Sequence, residues 1–280
     1  MSFHIRLMTP VDIQAGLRLK DIAGWNQTRE DWERFLKFNP DGCFVAEHDG
    51  QVAGTVATIV YEDRLAWIGM VLVDPDQRGQ GIGTALLHEA IAHLDARRIP
   101  CIKLDATPQG KQLYERFGFK VEYEIDRWTL QRTAGSSAPS SSSNTDVEAI
   151  VAIDRDVFGA DRGQLLRSVA AAAPELVVLA RRAENCDGYA LGRRGSLADH
   201  LGPWIARDEQ TARAILRRFL EHSQRATVFV DVLRDNSWAR TLVREEGFDL
   251  SRPLTRMYRG ENVGPGRTGL MCAILGPEFG

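Results

Sequence analysis

Cysteine is scarce in this 280-residue chain: Cys43, Cys101, Cys186 and Cys272 stand far apart, with no C-x-x-C pair. That scatter argues against a disulfide framework or a zinc knuckle and makes buried thiols the plain expectation. His88 and His93 lie five apart, which on a helix turns them from one another, and no third ligand type accompanies them, so no metal is expected. Basic charge is not in excess either. The 35 Lys and Arg against 38 Asp and Glu leave a net charge of -3, too little for a broad nucleic-acid-binding face, whose affinity comes from many cationic contacts. No apolar run nears the roughly 18 residues of a membrane helix, and the opening MSFHIRLMTP has no long apolar stretch after a basic one. The expectation is a cytoplasmic chain with neither membrane nor nucleic acid as partner.

What is present is apolar material for two cores: 44% of the residues are hydrophobic, and the length suits two ordinary domains. Residues 131–145, QRTAGSSAPSSSSNT, have too few apolar side chains to offset the entropy of ordering and read as a linker between 1–130 and 146–280. In the first part, two helical segments precede β-rich runs at 43–47 and 51–60, joined by a His48-Asp49-Gly50 turn. The run at 65–73 is apolar on both faces and so central in a sheet. From Ile82 a helix buries Leu86, Ala90 and Leu94; a strand at 101–104, a short helix at 111–117 closed by Gly118, and a strand at 120–130 end the domain. The second part repeats this order, with helices at 146–158 and 164–173, strands at 176–180, 188–193 and 199–206, a helix at 209–222, a strand at 227–232, a helix at 236–246 and a strand at 252–258. YERFGF (114–119) and VREEGF (243–248) hold the same place in each part, which reads as an internal duplication.

The stretch DPDQRGQGIGTALLHEAI (74–91) sets Gly79, Gly81 and Gly83 at alternate positions between the strand 65–73 and a helix. A helix start carries unpaired N–H groups and partial positive charge, and glycines let such groups curl round phosphate oxygens. Arg78 and Thr84 add side-chain donors. The stretch is neither a P-loop, having no Gly-Lys-Ser/Thr, nor a G-x-G-x-x-G fingerprint, since Thr84 and Leu86 stand where the last glycine would be.

Arg78-Gly79-Gln80-Gly81-Ile82-Gly83 after the strand 67–73 resembles the R/Q-x-x-G-x-G/A signature of the GNAT superfamily of acyl-CoA-dependent N-acyltransferases. The likeness extends over about 3–130, because the element order is that of the GNAT fold and LYERFGF looks like its second signature. More narrowly, AGWNQT (23–28), CFVAE (43–47), WIGMVLVDP (67–75) and LDATPQG (104–110) look like a bacterial two-domain, YitH-like group. The fold so implied is α/β (α+β), two tandem GNAT-like domains, each a mixed, mostly antiparallel twisted sheet flanked by helices. The implied cosubstrate is acetyl-CoA, its pyrophosphate held by Arg78, Gly79, Gln80, Gly81, Ile82, Gly83 and Thr84, with backbone contacts at Val71 and Val73. The second part resembles the family only in element order: GPWIARDEQTARAIL (202–216) has one glycine, and Asp208 with Glu209 would oppose a pyrophosphate. It is expected to keep the fold without the cofactor and to shape the acceptor pocket or an interface.

By the same resemblance Tyr114 points at the sulfur and gives the departing thiolate its proton; the alternative is a ring packed beside Phe117 and Phe119. Asp105, at the end of the apolar strand CIKL, is the candidate base, or else caps the next loop. Glu47 acting through water, or a solvent relay, stays open, because the strand 65–73 has no acid. Trp25, Asn26 and Gln27, with Trp32 and Trp67, are candidate contacts to the amine, against ordinary core packing of the tryptophans. The expected reaction is direct acetyl transfer to a primary amine of a small molecule or peptide, with a non-catalytic acyl-CoA sensor or partner-binding module as the rival. A homodimer stays open.

Overall fold

The structure, a computed structural model, describes residues 3–133, 146–182 and 185–280; most of the Ser-rich stretch read as a linker, 134–145, lies outside the described residues. The first half runs β1 (His4–Leu7), α1 (Ile13–Ile22), α2 (Arg29–Phe38), β2 (Cys43–His48), β3 (Gln51–Tyr61), β4 (Leu65–Val73), α3 (Ile82–Ala96), β5 (Cys101–Ala106), α4 (Pro108–Arg116) and β6 (Lys120–Gln131). The second runs α5 (Val147–Phe158), α6 (Gly163–Ala172), β7 (Val178–Arg182), β8 (Asn185–Arg194), β9 (Asp199–Ala206), α7 (Glu209–His222), β10 (Thr227–Leu233), α8 (Ser237–Glu245), β11 (Asp249–Gly260) and β12 (Met271–Ala273). The expected mixed α/β fold is present. The strands β1 and β12, four and three residues long, were not expected from the sequence pattern.

Local chemistry accounts for the helices. Asp31 at the third position of α2 reaches back to accept from the N–H of the N-cap residue Thr28 at 2.9 Å, while Thr107 caps α4 and Asp208 caps α7, each of these two through a side-chain oxygen on a free helical N–H. The helix α3 buries Leu86, Leu87, Ala90, Ile91 and Leu94 against β2, β3 and β4, each large side chain contributing about 2 kcal/mol by leaving water.

The described strands form one twelve-stranded sheet, ordered β1-β2-β3-β4-β5-β11-β6-β10-β12-β9-β8-β7. The strand expected at 120–130 to end the first half is β6; among the described residues it pairs with β10 and β11, while β11 of the second half pairs with β5 of the first. The last strand of each half is thus given to the other. Two buried ion pairs occupy corresponding places in the exchange: Asp105 of β5 with Arg256 of β11, and Asp231 of β10 with Arg127 of β6. The Arg256 guanidinium lies 4.4 Å above the Trp67 ring and that of Arg127 5.4 Å from Phe229, so each cation meets both a carboxylate and an aromatic face. One core lies under α3, another belongs to the second half, and a third runs through both, joining Trp32, Phe35 and Trp67 to Phe158, Tyr189 and Phe279.

Candidate active site

The strand β4 departs from regularity where its sequence gives no sign. Thr55 faces Leu72 and Ala57 faces Gly69, so Val56 of β3 opposes both Met70 and Val71 of β4. This is a β-bulge, which leaves one residue outside the ladder. Met70 sits at φ 55, in the left-handed region, and its carbonyl accepts from the Thr55 hydroxyl at 2.8 Å. A non-glycine held there costs of order 1–3 kcal/mol, a strain that surrounding structure must impose. Val71 and Val73, the expected backbone contacts, lie at and beyond this bulge, both half-buried.

Beside it the sheet opens. The parallel ladder of β4 and β5 joins only Leu65–Trp67 to Cys101–Lys103, although both strands continue. The glycine loop follows directly from the end of β4. Gly79 and Gly81 have φ of 77 and 84, and a Cβ on either would point into open space. Gly81 is the N-cap of α3 without a capping side chain, and the first backbone bond back to it comes from Ala85 N at 2.9 Å. The amides of Ile82, Gly83 and Thr84 precede that bond, as expected of a helix start with donors to spare. Arg78, Gln80 and Thr84 are exposed, and Ile82 is buried as an anchor beneath them. Arg18 holds the base of the loop, donating to Asp74 at 2.5 Å. The start of α3 thus keeps backbone donors uncapped, next to a stretch of β4 outside the ladder with β5.

Tyr114 on α4 packs edge-on against Phe119, centroids 6.1 Å apart. Burial pushes its phenol up to about 12, so it carries its proton at neutral pH, as a proton donor must. Asp105 has a fully buried side chain and accepts from Arg256 Nε and Nη2, both at 2.8 Å. Burial raises its carboxyl above the ordinary range against the pull of Arg256, yet both its oxygens are engaged. Glu47 on β2 accepts from Arg6 at 2.8 Å.

The expected acceptor contacts divide. Trp32 and Trp67 are fully enclosed, Trp32 against Gly16 and Trp67 beneath Arg256. Asn26 is tied to the second half: its Oδ1 accepts from the Leu197 and Ala198 amides at 2.9 Å and its Nδ2 donates to Ala198 O at 3.1 Å. Trp25 is half-buried, and the Gln27 side-chain oxygen is buried without a hydrogen-bond partner. Sequence reasoning missed Arg256, whose partner Asp105 is 151 residues away, and the bulge at Met70.

A cavity of about 400 Å³ lies among Phe38, Tyr61, Glu62, Arg162 and Arg167. It adjoins Tyr61, which faces Leu65 at the start of β4, the far end of that strand from the glycine loop. Among the described residues no group of three or more His, Cys, Asp or Glu is placed to hold a metal, and no helix is long and apolar enough to cross a membrane. All four cysteines are free; Cys43, Cys101 and Cys272 are buried and Cys186 is half-buried.

Residues 17–119 match the acetyltransferase (GNAT) family, and residues 150–271 match an acetyltransferase (GNAT) domain. The chain is 24% identical over 260 residues to the holothin acyltransferase of Pseudoalteromonas sp. (strain SANK 73390), covering 91% of this chain and 87% of that protein. It is 25% identical over 272 residues to the N-acetyltransferase YitH of Bacillus subtilis (strain 168), covering 94% of each. The fold superposes on an acetyltransferase structure from Pyrococcus horikoshii with a TM-score of 0.83 at 24% identity, over 99% of this chain and 96% of that one.

Proposed function

Since the chain belongs to the GNAT superfamily of N-acetyltransferases, we propose that its first half binds acetyl-CoA through residues 71–84 and passes the acetyl group directly to a primary amine of a small molecule or peptide. The observation that carries this reading is the strained bulge at Met70 and Val71, set between an open glycine loop and an unladdered slot in the sheet. The cosubstrate supplies an activated acyl carbon.

The protein's own groups do the rest. The amides from Gly81 to Thr84, with Arg78 and Gln80, hold the pyrophosphate by the positive end of α3. The slot between β4 and β5 excludes water from the thioester arm, and the Val71 N–H polarises the acyl carbonyl where negative charge develops. Tyr114, kept protonated by burial, gives the departing sulfur its proton. The second half acts on the acceptor side, where the turn at Gly195–Ala198 fixes the loop carrying Trp25, Asn26 and Gln27.

The test is incubation with acetyl-CoA and a pool of small amines and short peptides, read by mass spectrometry beside Tyr114→Phe. The expected result is an acetylated amine whose formation falls about 100-fold in the variant at unchanged acetyl-CoA affinity. Coenzyme binding with no acetylated product from any amine would favour the sensor reading.

A further inference from the structure

The strand β11 carries a bulge near its start: Leu250 faces Trp128 and Arg252 faces Arg127, so Ser251 is the extra residue. A bulge re-aims side chains out of the regular alternation and is frequent beside functional sites. Here the Ser251 hydroxyl meets that of Thr129 on β6. One hydrogen makes that bond, and the other stays free to donate. Thr129 and Arg127, two apart on β6, share the face of the sheet that carries the Arg127–Asp231 and Arg256–Asp105 pairs. Arg252 lies on that face too, since the register from Arg252 to Arg256 is unbroken.

Arg252 is half-buried, its Nε is enclosed without a hydrogen-bond partner, and among the described residues it forms no ion pair. Its neighbour across the ladder is another arginine, and like charges so placed repel. The two carboxylates whose charge reaches it are taken: Asp231 accepts from Arg127 at 2.7 and 2.6 Å, and Glu278 meets Arg193. Asp249, which faces Thr129, is solvent-exposed and is not among the charges that bear on Arg252. The fold thus holds a partly desolvated cation that no group of its own neutralises. The duplication sharpens the contrast. Arg256 and Arg127 each face the aspartate of the neighbouring strand, and across the ladder of β6 and β11 the first has Tyr123 as neighbour and the second Arg252. The Tyr123 hydroxyl accepts from Arg256 at 2.6 Å; Arg252 is left out of the corresponding pair.

The registers also place Arg252 relative to the first-half site. The last residue of β5, Ala106, faces Thr255, so Arg252 stands three residues past the end of β5, about 10 Å along β11. This is the end at which β5 is no longer paired with β4. On the same face Arg256 covers Trp67 of β4 and holds Asp105 of β5, and Glu278, whose charge reaches Arg252, lies against Gly69 beside the β4 bulge. We propose that Arg252, with the free hydroxyl hydrogen of Ser251 and Thr129, is the subsite for a carboxylate on the acceptor, so that the site selects primary amines carrying an acidic group. This rests on the acetyltransferase reading above. A guanidinium presents parallel N–H donors to both oxygens of a carboxylate. The placement past the end of β5 calls for an amine and a carboxylate about 10 Å apart, as in a short peptide.

The experiment uses the full chain, acetyl-CoA and acceptors in matched pairs: ω-amino acids and short peptides with a free carboxylate, and the same compounds as carboxamides. The parent should show a KM at least about 10-fold lower for the acids than for the amides. Arg252→Gln should abolish that preference by raising KM for the acids alone, with kcat and acetyl-CoA affinity unchanged, and Arg252→Lys should restore part of it. Because the arginine neutralises nothing in the fold, Arg252→Gln should unfold at the parent's midpoint or above it. Equal KM for acids and amides in the parent, a preference that survives Arg252→Gln, or a lowered midpoint would overturn the assignment and leave the transferase reading standing. Product from the amides alone would do the same. Failure of the parent chain to bind acetyl-CoA by calorimetry would overturn both.

Discussion

The two halves share an element order and differ where their central parallel strands part. In the first, the ladder of β4 and β5 ends at Trp67 and Lys103, and no strand is inserted beyond it. In the second, β9 and β10 share a ladder only at Asp199–Leu201 and Val228–Val230, and β12 fills the space beyond, pairing with Val232 on one side and with Trp204 and Ile205 on the other. The helix starts differ in the same sense. The first turn of α3 has no acid, whereas Asp208 takes the Thr211 amide of α7 at 2.7 Å with Glu209 beside it. One helix start is left uncapped by any side chain; the other is capped by its own aspartate, and Cys272 and Ala273 of the inserted strand become part of the second core. The same element order thus leaves the strands apart in one half and bridged by a third strand in the other.

The comparison can be broken most forcefully at the exchanged strands. Arg256→Ala and Arg127→Ala each leave a buried carboxylate uncompensated and should each cost about 3–5 kcal/mol in denaturant unfolding, with a single transition for both halves. Two separate transitions, one of them untouched by the substitution, would show that the halves stand alone. Next in size, Gly81→Val with Gly83→Val should weaken acetyl-CoA binding by at least about 100-fold, since a Cβ at φ 84 is strained and covers the amides; circular dichroism should remain that of the folded chain. The smallest effect is expected in the second half, where Asp208→Ala removes a cap worth about 1 kcal/mol and leaves coenzyme binding as it was. Restored or added coenzyme binding in that variant would mean that Asp208, rather than β12, closes the second slot.

Much of this was legible in the chain because its signals are local. The alternation at 51–60, the apolar run at 65–73 and the glycines at 79–83 act within a few residues, and β3, β4 and the loop formed where those patterns placed them. The exchange of β6 and β11 was not legible: both strands carry the alternation that a strand closing its own half would carry, and their partners lie 96 or more residues away. Nor could β12 be foreseen, three residues without turn chemistry of their own. Among the site residues, a tryptophan against a core and one against a ligand look alike in sequence, and Trp32 is held by Gly16 inside the protein. Asn26 reads as a polar group near a pocket until the backbone of Leu197 and Ala198 is brought to it.

The central claim, that one half binds the cosubstrate while the other closes its slot, is tested most directly by isothermal titration of the full chain with acetyl-CoA. One molecule bound per chain, lost in the Gly81→Val, Gly83→Val variant, is the expected result. Two molecules per chain, or one that survives those substitutions, would contradict it.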